Sequence, residues 1–469
     1  MDRPIPPCPE TPTQALPPGV ISKEYQVEVI TPLFGGGPRP GTNDPVTPIR
    51  ATEIRGHLRF WWRATIGVRE AGSIADLRRN EGDIWGTTKG QDDKPQESKV
   101  AVAVTDAQWS DPSPCAWYAP EERDGKVRHK LTWLPPFDGD GNSLPYALFP
   151  FQGKPPSSRG AIGPASCIQS AEFSLVLTCP RQLEGQVEAA LWAWMNFGGL
   201  GARTRRGCGA LYCSAFAPVD SGTKAIRDWW VERAGAFPGE VQIGEVPSLV
   251  SSLLVGTAPE PPDLAWREAV GAMRAFRQEG TGRQPRPDPR SRMSGTNKPG
   301  RSYWPEPDSI ARLVEQPGWD WDPGHDARPG VPGDELPAFP RAELGLPIIF
   351  HFLENRKDEV PDPELVPEGY SRMASPIILR PLACGDGSEV LPMVVCLRAP
   401  TARSLKLRLG DKDCATFDRS AICRESLSTY PNSPLGRPPG VAVSRSKAGS
   451  AVEAFLAFAR ERNFELVAP

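Results

Sequence analysis

The sequence predicts an α+β protein. A β-α-β-β-α-β unit of the ferredoxin-like (split βαβ) type comes first, and a second α+β domain follows. Three observations carry this expectation. The first half holds short stretches of strand period flanking two stretches of helical period. The second half again mixes strand-like and helical stretches. Proline and glycine, 55 and 45 of 469 residues, gather at 1–20, 110–165, 280–345 and 400–447, which read as loops, insertions or linkers between ordered elements. A chain of this length is expected to form two domains or more, and 39% hydrophobic residues suffice for a core in each. The expected organisation is a Pro-rich tail over 1–21, a first domain over 22–217 with an insertion at about 110–165, and a second over 218–469 with insertions at about 280–345 and 400–447.

Each element follows in turn. Glu24–Ile30 (EYQVEVI) alternates polar and apolar residues and predicts a strand. Ile49–Val68 has helical period: at about 100° per residue, Ile54, Leu58 and Trp61 make an apolar stripe, and Arg55, Arg59 and Arg63 a separate basic one. Trp62 falls on the border between them. Lys99–Thr105 and Ala171–Thr178 predict the second and third strands, Gln182–Asn196 the second helix, and Gly209–Ala215 the fourth strand. In the second half, Ser248–Val255, Leu346–Leu353, Pro376–Arg380 and Met393–Leu397 read as strands, and Asp263–Gln278 and Ala448–Arg462 as helices.

Charge excludes a bulk polycation: 54 basic residues face 57 acidic ones, a net of −3. A nucleic-acid site would therefore need its positive charge concentrated in a stripe or loop. No apolar run approaches the roughly 18 residues of a membrane span. The N-terminal segment lacks the apolar region of a signal peptide, so a cytoplasmic location is expected. The ten cysteines form no C-x-x-C pair and read as buried reduced thiols. The four histidines, His57, His129, His325 and His351, show no metal-ligand spacing.

The stretch FGGLGARTRRGCGAL, Phe197–Leu211, raises the functional question. It is not a dinucleotide loop, because that loop precedes its helix and uses the helix N-terminus. Here the helical segment comes first, and its C-terminal end carries partial negative charge. A P-loop would need a Lys that is missing. What remains is an RNA backbone clamp, with glycines allowing close approach and Arg203, Arg205 and Arg206 gripping phosphates. A glycine-rich helix cap carrying solvated arginines is the structural alternative. The basic stripe on the first helix tilts the balance towards a polyanion, and Trp62 could stack a base.

Together these stretches resemble the RAMP superfamily of CRISPR-associated proteins. The resemblance rests on TPLFGGG (Thr31–Gly37), PIRATEIRGHLRFWWRA (Pro48–Ala64), EGDIWGT (Glu81–Thr87) and the Phe197–Leu211 loop. GRSYWPEPDSIARL (Gly300–Leu313), LGLPIIFHF (Leu344–Phe352) and SRMASPIILRP (Ser371–Pro381) are similar to the branch that supplies subunit one of the type III-B (Cmr) RNA-guided effector complex. The resemblance implies two ferredoxin-like, RRM-like domains side by side. It implies an RNA-binding subunit that meets the 3′ part of the guide RNA and the single-stranded target RNA among other RAMP subunits, with no membrane. It also implies a chain that is not the nuclease, the cutting and cyclase chemistry belonging to partner subunits. No cofactor or metal is implied. The Pro-rich insertions depart from the usual family member.

The expected RNA surface comprises Arg203, Arg205 and Arg206 with Gly198, Gly199 and Gly201, extended by Arg50, Arg55, Arg59, Trp62 and Arg63. Arg301 and Trp304 would line a related surface on the second domain. Two rival readings stay open. A metal-independent CRISPR RNA-processing endoribonuclease would need a general base, for which His57 is the best candidate; the resemblance also makes Asp44, in the loop after TPLFGGG, a catalytic candidate, although a loop Asp is more often a turn residue. Asp92–Asp93 and Asp358–Glu359 pair carboxylates only in segments that read as solvated loops. An assembly scaffold would turn the basic residues towards an acidic protein surface.

Overall fold

In the computed structural model, residues 16–90, 94–123, 125–139, 141–157, 160–249, 252–278, 302, 304–314, 337–352, 362–429, 433–436 and 445–468 are described. The first strand, β1 (Val20–Val29), keeps the predicted alternation: Ser22, Glu24, Gln26 and Glu28 face water while Val27 and Val29 are buried. Its apolar side packs under helix α1 (Ala51–Trp62), which buries Ile54, Leu58, Trp61 and Trp62. The helix continues past Trp62 through a π-helical turn, Arg63–Gly67, to Glu70. Next comes α2 (Ile74–Trp85), a helix that the sequence reading omits. The signal was present: Ser73 caps it by accepting from the Asp76 amide at 3.1 Å, and Asp76 occupies the acidic position of a capping box.

Strands β2 (Ala101–Trp109) and β3 (Ala171–Pro180), helix α3 (Glu184–Phe197) and strand β4 (Leu211–Tyr212) complete the first unit. Its sheet runs β4-β1-β3-β2, every pair antiparallel. The predicted fourth strand, Gly209–Ala215, shrinks to two residues because Gly209 has a positive φ of 60° and turns the chain just before it.

Helix α4 (Thr223–Gly235) follows and sets Trp229 and Trp230 against Trp192 of α3, with ring centroids 5.3 and 5.9 Å apart. The element order then recurs as β5 (Leu253–Gly256), α5 (Pro262–Gln278), β6 (Ile377–Cys384), β7 (Glu389–Cys396), α6 (Ala451–Arg460) and β8 (Phe464–Ala468). This second sheet runs β6-β7-β5-β8. In both sheets the unit's first strand lies between its fourth and third, and its second strand forms an edge. One apolar cluster joins the two units: Leu253, Ile378, Met393 and Val467 belong to the same buried group as Val27, Leu58 and Trp194. Each large side chain buried there contributes about 1.5–3 kcal/mol.

The insertions differ from the irregular segments that the sequence suggests. Residues 110–165 contain an antiparallel hairpin, Ala116–Arg123 with Lys126–Trp133, and a small core in which Phe137, Leu144 and Leu148 pack with Phe34 and Trp266. Ser404–Leu409 and Lys412–Asp418 form a second hairpin whose sheet also takes in Pro363–Pro367 and Ile348–Ile349. No described helix is long and apolar enough to cross a membrane.

Candidate nucleic-acid interface

The Phe197–Leu211 loop is fastened on every side. Helix α3 ends at Phe197, and the chain then passes through Arg203 in the left-handed region (φ 60°) and a single 3-10 turn, Thr204–Arg206. The Ala202 amide donates to the Phe34 carbonyl at 2.7 Å, and the Gly209 amide to the Pro32 carbonyl at 3.0 Å. The Thr31 hydroxyl donates to the Gly207 carbonyl at 2.6 Å and accepts from the Ala210 amide at 2.8 Å. The TPLFGGG stretch is thus the bed on which the loop lies. From α1, the Glu53 carboxylate accepts from the Gly201 amide at 2.8 Å. Burial pushes the Glu53 carboxyl up, but bonds from His57 and from that amide outweigh it and hold the group below the usual carboxylate range.

The second unit completes the fastening. The indole of Trp266, on α5, donates to the Arg206 carbonyl at 2.6 Å. Arg380, on β6, is fully buried and donates to the carbonyls of Gly198 at 2.7 Å, Leu211 at 2.8 Å and its neighbour Pro381 at 3.0 Å. It makes no ion pair among the described residues, and burial pulls its pKa down to about 9. Four stretches far apart in sequence therefore converge on one loop.

The glycines serve this packing. A Cβ on Gly201, whose φ is +76°, would collide with the Phe34 carbonyl, and one on Gly198 would sit 2.7 Å from the Trp61 indole nitrogen. Gly199 is pressed equally closely against the Gly209 carbonyl, at 2.7 Å. Their close approach is to the protein's own atoms, which corrects the expectation that they open the backbone to a ligand.

The arginines divide. Arg205 donates to the Ser375 carbonyl and lies over the Phe60 ring, 5.6 Å from its centroid. Among the described residues Arg203 and Arg206 form no ion pair, and each holds one guanidinium nitrogen that is sealed from water without a hydrogen-bond partner. Burial, reinforced by the nearby cations of Arg277, Arg203 and Arg205, pulls the Arg206 pKa down to about 10. The Arg277 guanidinium donates to the Tyr146 hydroxyl at 3.1 Å, its one side-chain bond among the described residues. Cationic groups with no carboxylate beside them mark a place where an anion is favoured.

The helix stripe is less free than its spacing suggests. Arg59 and Arg63 both donate to one carboxylate oxygen of the nearly buried Glu81, at 2.7 and 2.6 Å. Arg55 is exposed, and Arg50 stands 3.8 Å from Asp44. Asp44 accepts from the Thr47 and Val46 amides at 3.1 and 2.9 Å, bonds that hold its carboxyl below the usual range and make it a turn residue. Two aromatic expectations are corrected. Trp62 is fully buried, its indole donating to Gln186 at 2.9 Å, so neither ring face can receive a base. Trp304 is likewise fully buried, edge-on to Phe276 at 5.4 Å, and belongs to the second unit's core. Arg301, Asp92–Asp93 and Asp358–Glu359 lie outside the described residues. Among the described residues no group of three or more His, Cys, Asp or Glu could hold a metal ion.

The residues that sequence reasoning missed are Arg380, Trp266, Glu53 and Glu81. The first two act from another unit, and nothing in local spacing marks them.

Residues 26–212 match the model of the RAMP superfamily. This stretch is thus similar to the RAMP superfamily. It runs from within β1 to the end of β4 and takes in the whole Phe197–Leu211 loop, so the arginine-bearing loop lies inside the matched stretch. No curated protein matches the chain. Among solved structures, Cmr1 from Pyrococcus furiosus in its apo form is 13% identical, with a TM-score of 0.41, over 81% of this chain and 89% of that one. A chain of the type III-B Cmr-beta complex bound to cognate target RNA is 12% identical, with a TM-score of 0.42, over 81% and 94%. A further Cmr-beta structure, bound to cognate target RNA and AMPPnP in the presence of ssDNA, is 12% identical, with a TM-score of 0.41, over 80% and 94%.

Proposed function

We propose that this chain is a non-catalytic RNA-binding subunit of a type III-B CRISPR Cmr ribonucleoprotein, contacting the 3′ part of the guide RNA and the target RNA in antiviral defence. Both units are read as ferredoxin-like, on the recurrence of the same strand order, with a boundary near residue 217. The observation that carries the functional reading is the pair Arg203 and Arg206: two guanidinium groups without an ion-pair partner among the described residues, held by a fastened loop inside the stretch that matches the RAMP superfamily. Arg205, Arg277 and Arg55 extend the positive surface. Arg59 and Arg63 add one net charge after Glu81 is counted. Other RAMP subunits are the expected neighbours, and sequence selection is left to base pairing with the guide.

The test is single-stranded RNA binding by the full chain across a salt series, with Arg203→Ala/Arg206→Ala alongside. Each phosphate contact contributes about 0.7 to the slope of log affinity against log salt on a single strand. The double variant should therefore flatten the slope by roughly 1.4, with the RNA intact on a gel. An unchanged slope refutes the assignment of phosphates to this loop. His57 lies beside the loop, which keeps one rival concrete: metal-independent cleavage that Arg203 and Arg206 do not affect but His57→Ala abolishes would replace this reading with an endoribonuclease.

A further inference from the structure

A cavity of about 170 Å³ opens between α1 and the Thr204–Arg206 turn. Its existence follows from the local sequence. His57 and Phe60 stand one helical turn apart on α1, Gly198 offers no side chain to fill the space, and Ile378 of β6 adds an apolar wall. The walls are flat and fixed. The His57 ring stacks on Trp194 with centroids 6.1 Å apart, and Phe60 is held edge-on to Trp61 at 5.1 Å. Arg205 also lines it, its guanidinium over Phe60 and bonded to the Ser375 carbonyl.

The cavity's size and chemistry narrow the occupant. It is smaller than the roughly 300–1,000 Å³ of sites that enclose whole drug-sized ligands, and suits a single ring system. Aromatic walls favour a π face. The edge is polar: among the described residues the Thr204 hydroxyl has no hydrogen-bond partner, and the His57 ring lines the cavity with its Nε2 3.6 Å from the Glu53 carboxylate. That carboxylate already accepts from the Gly201 amide. An apolar side chain from a neighbouring protein would leave the Thr204 hydroxyl unmet. A nucleobase edge would meet it and take a second polar contact from the His57 ring.

We infer that this cavity receives one unstacked nucleobase of the RNA strand held by the adjacent loop, with Phe60 against its face and His57 and Thr204 at its hydrogen-bonding edge. The inference rests on the RNA-binding reading above. It adds a subsite that recognises a base where the loop recognises only phosphate.

The experiment compares a 15-nucleotide uridine strand with a strand of the same length built from abasic ribose units, using the full chain. A stacked base typically contributes about tenfold in affinity or more. The wild type should bind the uridine strand about tenfold more tightly or better, and Phe60→Leu and Thr204→Val should each remove much of that preference while leaving the salt slope unchanged. Thr204→Val guards against a folding defect in the other variant. In parallel, 4-thiouridine crosslinks should map to the peptide that carries His57 and Phe60. Equal wild-type binding to both strands, or crosslinks that map only elsewhere, overturns the subsite while leaving the phosphate-binding reading intact. Failure to bind either strand overturns both.

Discussion

Arg380→Met tests whether the second unit holds the arginine loop in shape. The replacement keeps most of the buried stem and removes the cation together with its three donated bonds, of which those to Gly198 and Leu211 cross between the units. Each hydrogen bond from a charged donor contributes about 1.5–3 kcal/mol, so the two cross-unit bonds together hold the loop by roughly 3–6 kcal/mol. Against this, burying a cation without a carboxylate costs several kcal/mol, a cost that methionine abolishes. The two terms largely cancel for global unfolding, and the melting temperature should move little. Locally they do not cancel, because only the loop loses its anchors. Hydrogen exchange of amides in 198–211 should accelerate about 100-fold, the lower bound of 3 kcal/mol expressed as a rate. Mass spectrometry of peptides from that stretch reads this directly, with peptides from β3 as the internal control. Unchanged exchange in 198–211 would refute the reasoning and assign the loop's shape to its other anchors, the bed at Thr31–Phe34, Glu53 and Trp266.

Two further outcomes follow from the same geometry. Gly201→Ala should cost about 2–4 kcal/mol, combining the left-handed backbone penalty with the collision against Phe34. Gly163→Ala, where a Cβ meets nothing within 4 Å, should be neutral, and denaturant midpoints separate the two. Burial pushes the thiols of Cys167, Cys208, Cys384 and Cys396 up to about 12. Because these folded-state values lie above the unfolded value of about 8.5, the contribution is complete below that pH and is lost as pH rises towards 12. Melting temperatures in reductant should therefore fall between pH 8.5 and 10, and a flat profile would refute the burial of these thiols.

Local periodicity determined much of the fold. The alternation of Glu24–Ile30, the apolar stripe of Ile54, Leu58 and Trp61, and the run of Gln182–Asn196 each specify an element, because side-chain direction repeats with the backbone's own period. The glycine-arginine composition of Phe197–Leu211 also marked the site. Tertiary structure decided what the residues there do. Trp62 and Trp304 have the composition of stacking residues, yet they point inward, because the neighbouring elements supply apolar surface on that side. Arg59 and Arg63 read as free cations until Glu81, on a helix that packs beside them, neutralises one of the two charges. Arg380 reads as one more surface arginine in SRMASPIILRP, and only the pairing of β6 against the loop buries it. Spacing along a chain reports which face a residue shares with its neighbours. It carries no information about which charge or carbonyl another element brings to that face, and at this site that partner decides the residue's role.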